Sequence, residues 1–206
     1  MKKRTAHRIL GLLLLLPMLG WATTGVVFFT KPGYEGAYAL LQVKTYPLGE
    51  DAPAISPAAG WLEYRCVRTT LGLHLLVRTA QGWQQLDPAT RAPRTPPAEE
   101  EVRHLLADAI AGNPARYGEL AVLAGTTART TTQVRLTLDW NRLSLQQAGP
   151  DTDRIDRLYK IHYLQWTGLK WLDRALGLAG LAMVVLLSLL GLALQFDLRR
   201  KKNGTS

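Results

Sequence analysis

Cysteine is nearly absent: Cys66 stands alone in 206 residues. No intramolecular disulfide can form, and no thiolate cluster can hold a metal. A single cysteine in a strand-like stretch reads as a small apolar residue. Serine is almost as scarce, at Ser56, Ser144, Ser188 and Ser206, and none sits in a Gly-x-Ser-x-Gly elbow. The chain has neither a His-Glu-x-x-His helix nor a glycine-rich phosphate loop. Of the four histidines, His74 and His104 have no His or Cys at ligand spacing. The triplet Glu99-Glu100-Glu101 reads as a helix start rather than an acid cluster. These absences point to a non-catalytic protein without a cofactor or a metal site.

Acidic residues are also in the minority, and the net charge is +9. Its placement argues against a nucleic-acid partner. Lys2, Lys3, Arg4 and Arg8 precede one apolar run, and Arg199, Arg200, Lys201 and Lys202 follow another. Between positions 30 and 174 there are 17 Lys/Arg against 15 Asp/Glu. A nucleic-acid-binding surface would carry the excess on the folded domain. Two short basic clusters abutting apolar runs instead match the positive-inside rule and mark both ends as cytoplasmic.

The first run, Ile9 to Phe29, has 21 residues without a charge. That length spans ~30 Å of hydrocarbon. Pro17 is tolerable within it. The rival reading is a cleaved signal peptide with Gly20-Trp21-Ala22 as its processing site. The continued apolarity through Phe29 favours an uncleaved anchor. The second run, Ala175 to Phe196, has 22 residues and only Gln195 is strongly polar. Tyr159, Tyr163, Trp166 and Trp171 lead into it, as aromatics do at a membrane interface. Each run carries a stripe at helical spacing: Gly11, Leu15, Met18, Ala22 and Gly25, then Gly177, Gly180, Val184, Ser188 and Gly191. Small residues let helix backbones approach closely in lipid. These stripes are the expected packing faces, within the chain or toward a membrane-protein partner or a second copy.

Between the runs, the pattern is α+β. Tyr34–Tyr46 could be a short strand, and 48–60 a loop. Trp61–Val67, Leu73–Arg78 and Trp83–Leu86 read as strands punctuated by Gly72 and Gln81-Gly82. A helix is expected from Thr95 or Pro97 to Ala111, with Val102, Leu105, Leu106 and Ile110 on one face. Leu120–Leu123, Gln133–Leu138 and Arg142–Gln146 are further strands, with Asp139-Trp140-Asn141 as a turn. Thr152–Trp166 reads as a helix running to the membrane surface. Within 154–171, Ile155, Leu158, His162, Gln165, Trp166 and Leu169 are expected to share a face. Such a face would couple the domain to the second membrane helix, or simply lie at the interface. The expected organisation is therefore 1–8 cytoplasmic, 9–29 membrane helix, 30–150 extracytoplasmic domain, 151–174 juxtamembrane helix, 175–196 membrane helix and 197–206 cytoplasmic tail.

His7-Arg8-Ile9-Leu10-Gly11 entering an apolar helix that closes on Thr24-Gly25 resembles the start of short PepSY membrane proteins. Asp87-Pro88-Ala89-Thr90 is similar to the turn that ends a PepSY unit, although Arg91 replaces the usual glycine. The helix over 97–111 and the strands after it resemble a second, degenerate unit. The resemblance implies a binding or regulatory module of a bacterial inner membrane, an accessory subunit near metal-siderophore uptake. Two alternatives come with it. One is an electron-transfer subunit of a ferric-siderophore reductase with haem shared between chains. The other is a protease-inhibitor or chaperone-like module. A haem within one chain would need facing pairs of membrane histidines, whereas His7 and His162 are expected on opposite sides of the bilayer.

Overall fold

A computed structural model describes residues 3–50 and 53–203, and of 198–203 the backbone only. In chain order the elements are α1 (Lys3–Thr30), α2 (Tyr34–Ala37), β1 (Glu63–Thr69), β2 (Gly72–Thr79), β3 (Gly82–Leu86) and α3 (Glu99–Ile110). They continue with α4 (Pro114–Tyr117), β4 (Leu120–Ala124), β5 (Thr127–Thr130), β6 (Arg135–Asp139), β7 (Ser144–Ala148), α5 (Pro150–His162) and α6 (Lys170–Asn203). The expected α+β class holds, with two small antiparallel sheets between two long apolar helices. The chain divides into two compact units, one from Tyr34 to Asp153 and the other from the residues on either side.

The central unit is built on two meanders, β1-β2-β3 and β4-β5-β6-β7. In the first, tight turns set the register Thr69↔Gly72 and Thr79↔Gly82. Strand β2 is buried on both faces. Leu76 joins the core of α3 and the second sheet, alongside Leu105, Leu106, Leu136 and Leu138. Leu75 and Val77, on the opposite face, are covered by Ile55 and Trp61. The second sheet alternates as the period-two pattern requires, with Leu136 and Leu138 buried and Thr137 exposed.

Helix α3 buries the anticipated stripe of Val102, Leu105, Leu106 and Ile110. Its acidic first turn faces the positive end of the dipole, and Glu101 accepts a bond from the Ala98 backbone N–H at 2.8 Å. Two elements depart from the sequence reading. Residues 34–46 form a four-residue helix and then an extended segment held by single bridges at Gln42 and Tyr46, not a strand. Strand β5 is additional. Its Thr-Ala-Arg-Thr sequence buries only Ala128 and Thr130, so no large apolar residue marks its inner face.

Short polar contacts fix the loops. Asn113 caps α4, accepting from the Arg116 backbone N–H at 3.1 Å, with Pro114 at the first helical position. Gly118 ends that helix at φ +59°, where a Cβ would lie 2.1 Å from Thr131 Oγ1. After β3, Asp87 Oδ1 accepts from the Ala89 N–H (3.0 Å), the Thr90 N–H (2.8 Å) and the Thr90 hydroxyl (3.0 Å). Arg91 follows at φ 60°. Any residue with a Cβ pays a steric cost there that glycine does not. Arg91→Gly should therefore raise the denaturation midpoint of the full-length protein in detergent, by about 0.5–1 kcal/mol in stability. Chemical denaturation followed by tryptophan fluorescence measures it, and a lowered midpoint would show that the arginine side chain contributes more than its backbone costs.

In the other unit, α1 and α6 pack together, with the end of α5 against α1. Lys3 Nζ pairs with Asp197 at 3.0 Å, so the start of α1 lies beside the end of α6 and the two helices run antiparallel. The segment expected to form one juxtamembrane helix does not do so. Helix α5 stops at His162, Leu164 takes φ 55° and Gly168 φ 75°, and 163–169 form a loop. Gln165, Trp166 and Leu169 therefore do not share a helical face with Ile155 and Leu158.

Candidate functional site

The helix pair contains one of two candidate sites. Where α5 ends, its last residue is gripped by α1. Trp21 Nε1 donates to the His162 carbonyl at 2.6 Å, and Thr24 Oγ1 lies 2.8 Å from His162 Nδ1. Phe28 stacks on Tyr159 with ring centroids 4.5 Å apart. Thr24 is buried despite its hydroxyl, which also donates back to the Gly20 carbonyl at 2.7 Å. Beside this contact a groove of about 850 Å³ runs between Trp21 and His162 on one side and Lys170, Arg174, Gly177 and Leu181 of α6 on the other.

Of the residues anticipated as packing faces, Gly11, Gly180 and Gly191 lie against other helices or the loop. A Cβ at Gly11 would meet Leu187 at 3.8 Å, and one at Gly180 would meet Leu164 at 3.2 Å and the Trp21 ring at 3.6 Å. At Gly191 the neighbour is His7, at 3.3 Å. Gly177 faces the Tyr163 carbonyl at 3.8 Å. Met18 and Ala22 are exposed, as is Ser188, whose hydroxyl returns to the Val184 carbonyl, while Gly25 has open space around it. Gly11 keeps its anticipated place, and beside it the buried or contacting residues of α1 are His7, Leu14, Trp21 and Thr24, about one position away from the rest of the anticipated stripe. Lys3, Arg4 and Arg8 are exposed at the start of α1. Lys2 lies outside the described residues, and so do the side chains of Arg199, Arg200, Lys201 and Lys202.

Bulk at Gly180 must displace Trp21 or Leu164, whereas bulk at Gly25 meets nothing. Gly180→Leu should weaken helix pairing by on the order of 1–2 kcal/mol, and Gly25→Leu should leave it unchanged. Disulfide crosslinking between α1 and α6 in a Cys66→Ser background reads the difference.

The central unit holds a buried polar chain around His74, which is fully buried. Gln85 donates its amide N–H to the Trp140 carbonyl. Its Oε1 then faces His74 Nδ1 at 2.9 Å, and the tautomer that satisfies this contact carries its proton on Nδ1. Nε2 therefore accepts, and Thr69 Oγ1 donates to it at 2.7 Å while accepting from the Leu71 N–H at 3.1 Å. Every ring nitrogen is satisfied in the neutral form. Arg94 comes within 3.0 Å of Nδ1 while donating to the Leu73 (2.7 Å) and Leu71 (3.1 Å) carbonyls. Burial pushes the His74 pKa below its ordinary value, the bond to Gln85 opposes this, and the Arg94 charge adds to it. This cluster has no opening, and its chemistry is that of a fastener between the sheets.

A folded-state pKa below the unfolded one means that the unfolded chain takes up the proton first. Stability is full above about pH 6.5 and falls as pH drops from there toward the folded pKa, by up to about 1.4 kcal/mol per pH unit. The depressed carboxyls Asp87 and Asp151 titrate lower and leave that window to histidine. His74→Gln should flatten the slope of denaturation midpoint against pH between about 5 and 6.5. An unchanged slope would assign it elsewhere.

A second polar contact closes the other end of this unit. Arg116 meets Asp151 at 2.6 Å and Gln147 at 3.0 Å, over a recess of about 480 Å³ beside Gly36. The guanidinium is consumed by these partners. Among the described residues no three His, Cys, Asp or Glu groups gather as a metal site. His104 is exposed beside Glu100 at 3.7 Å. His7 and the Thr24 partner of His162 lie 17 positions apart on α1, about 25 Å at 1.5 Å per residue. One iron cannot reach both histidines.

Compared with known proteins, the chain matches no family model, no curated protein and no solved structure.

Proposed function

We propose that this chain is a non-catalytic, two-helix protein of the bacterial inner membrane that holds a PepSY-like binding module outside the cytoplasm, as an accessory subunit. The observation that carries the membrane part is the bare apolar surface of the helix pair. Leu12, Leu13, Leu16, Leu178, Leu189 and Leu192 are all more than half exposed. Both helices are long and apolar enough to cross a membrane. A soluble protein does not leave such a continuous surface uncovered, whereas lipid covers it at no cost. The basic residues at the two adjoining ends favour a shared cytoplasmic side.

The PepSY-like part is supported by local geometry. The turn Asp87–Thr90 closes through its Asp side chain, and Arg91 holds the left-handed conformation for which that family uses glycine. A helix followed by an antiparallel meander, α3 and then β4 to β7, is the arrangement expected of such a unit. The hydrogen-bonded interior around His74, with both ring nitrogens engaged by neighbouring side chains, supports a structural role for that histidine. A siderophore-uptake setting is the extension that the family resemblance suggests.

Reporter fusions test the topology. Alkaline phosphatase fused after Ser206 should be inactive, and inserted near Pro93 it should be active. An active C-terminal fusion would overturn the two-helix arrangement with both ends inside.

A further inference from the structure

The groove between α1 and the start of α6 has a charge pattern of its own. Lys170 and Arg174 stand one turn apart on α6, both exposed, and neither has an ion-pair partner among the described residues. The acid on the same face is already engaged. Asp173 Oδ1 accepts from the Thr167 N–H at 3.0 Å and the Thr167 hydroxyl at 2.7 Å, fastening the 163–169 loop. Neutral donors leave the carboxylate its charge, so the mouth of the groove carries two cations with free ammonium and guanidinium donors beside one tethered carboxylate, a net of +1. Below them the same helical face continues as Gly177, Leu178 and Leu181, and Gly177 leaves the floor without a side chain. Trp21 stands on the opposite wall, its indole N–H committed to the His162 carbonyl at 2.6 Å, so it turns a fixed ring toward the space.

A cationic mouth over an apolar channel complements a molecule with an anionic head and a hydrocarbon tail. Inorganic phosphate would use the mouth alone, and the channel would add nothing. Basic residues on the translocated flank of a membrane helix also work against its orientation, so their presence here calls for a compensating anion. We propose that the groove binds one anionic phospholipid of the outer leaflet, its phosphate between Lys170 and Arg174 and one acyl chain along Gly177, Leu178 and Leu181. This rests on the reading of α1 and α6 as membrane-spanning, with the loop on the extracytoplasmic side. Basic pockets between membrane helices recognise anionic headgroups in the same way.

The full-length protein, purified in mild detergent, is titrated with phosphatidylglycerol or with phosphatidylcholine of the same acyl chains and followed by native mass spectrometry. One phosphatidylglycerol should be retained in preference, by about fivefold for the one net positive charge at the mouth. K170Q/R174Q should abolish the preference, and Gly177→Leu, which fills the channel, should lower retention of both lipids. R157Q/K160Q, exposed on α5 outside the groove, should keep the wild-type ratio. Equal retention of the two lipids, or a preference that survives K170Q/R174Q, overturns the proposal. Displacement by inorganic phosphate at matched concentration overturns it in favour of a simple anion site. An acidic protein that co-purifies and is released by K170Q/R174Q, without any lipid preference, overturns it in favour of a protein partner. Carbonate extraction of membranes reads the underlying anchoring separately: release of the protein defeats the membrane reading, while retention without lipid selectivity defeats the groove alone.

Discussion

Strand β2 is the piece on which the central unit depends, because it places buried residues in both hydrophobic clusters. Two sheets of three and four short strands are each too small to bury their own faces. They become one body because Leu76 enters the core shared by α3 and the second sheet, while Leu75 and Val77 seal the other side under Trp61 and Ile55. His74 shares the Leu76 face and adds direction to an otherwise non-directional contact. Through Gln85 it reaches the Trp140 carbonyl in the β6–β7 turn, so that a polar chain fixes how the sheets register. The cost of burying an imidazole is met because each nitrogen has one partner of the right kind.

The helix pair obeys a different constraint. On the reading that the pair crosses a bilayer, no hydrophobic drive brings the helices together, so contact depends on shape and on a few hydrogen bonds. Here shape means large against small. Trp21 lies over Gly180, and His7 over Gly191. The hydrogen bonds sit at one end, where Trp21 and Thr24 hold the last residue of α5. The 163–169 loop can therefore be short and still redirect the chain, with Asp173 tying its middle to the first turns of α6.

Much of this was legible in the sequence, for reasons that can be named. The first meander announces itself because Gly72 and Gln81-Gly82 interrupt apolar runs, and α3 because its apolar residues recur at helical spacing behind an acidic start. Strand β5 hides because its inner face is Ala128 and Thr130. The Tyr34–Tyr46 stretch has strand-like composition but finds only single-bridge partners, so its backbone settles as a short helix and an extended strap. Glycine spacing does not by itself define the helix faces. Real contact pairs a small residue with a large one, which shifts the face of α1 toward Trp21 and Thr24. The His74 cluster lies beyond pattern reading altogether, since Thr69, Gln85, Arg94 and Trp140 come from four separate segments.

The lone thiol has a practical side. Cys66 is half-buried in β1, and desolvation pushes its pKa up. At neutral pH it stays protonated, and the thiol form is a poor nucleophile. Alkylating probes will meet it slowly compared with any cysteine placed on an exposed face. The native molecule is thus close to a blank background for spectroscopic labelling, one in which a spin label or dye can be written at a chosen position by reaction rate alone.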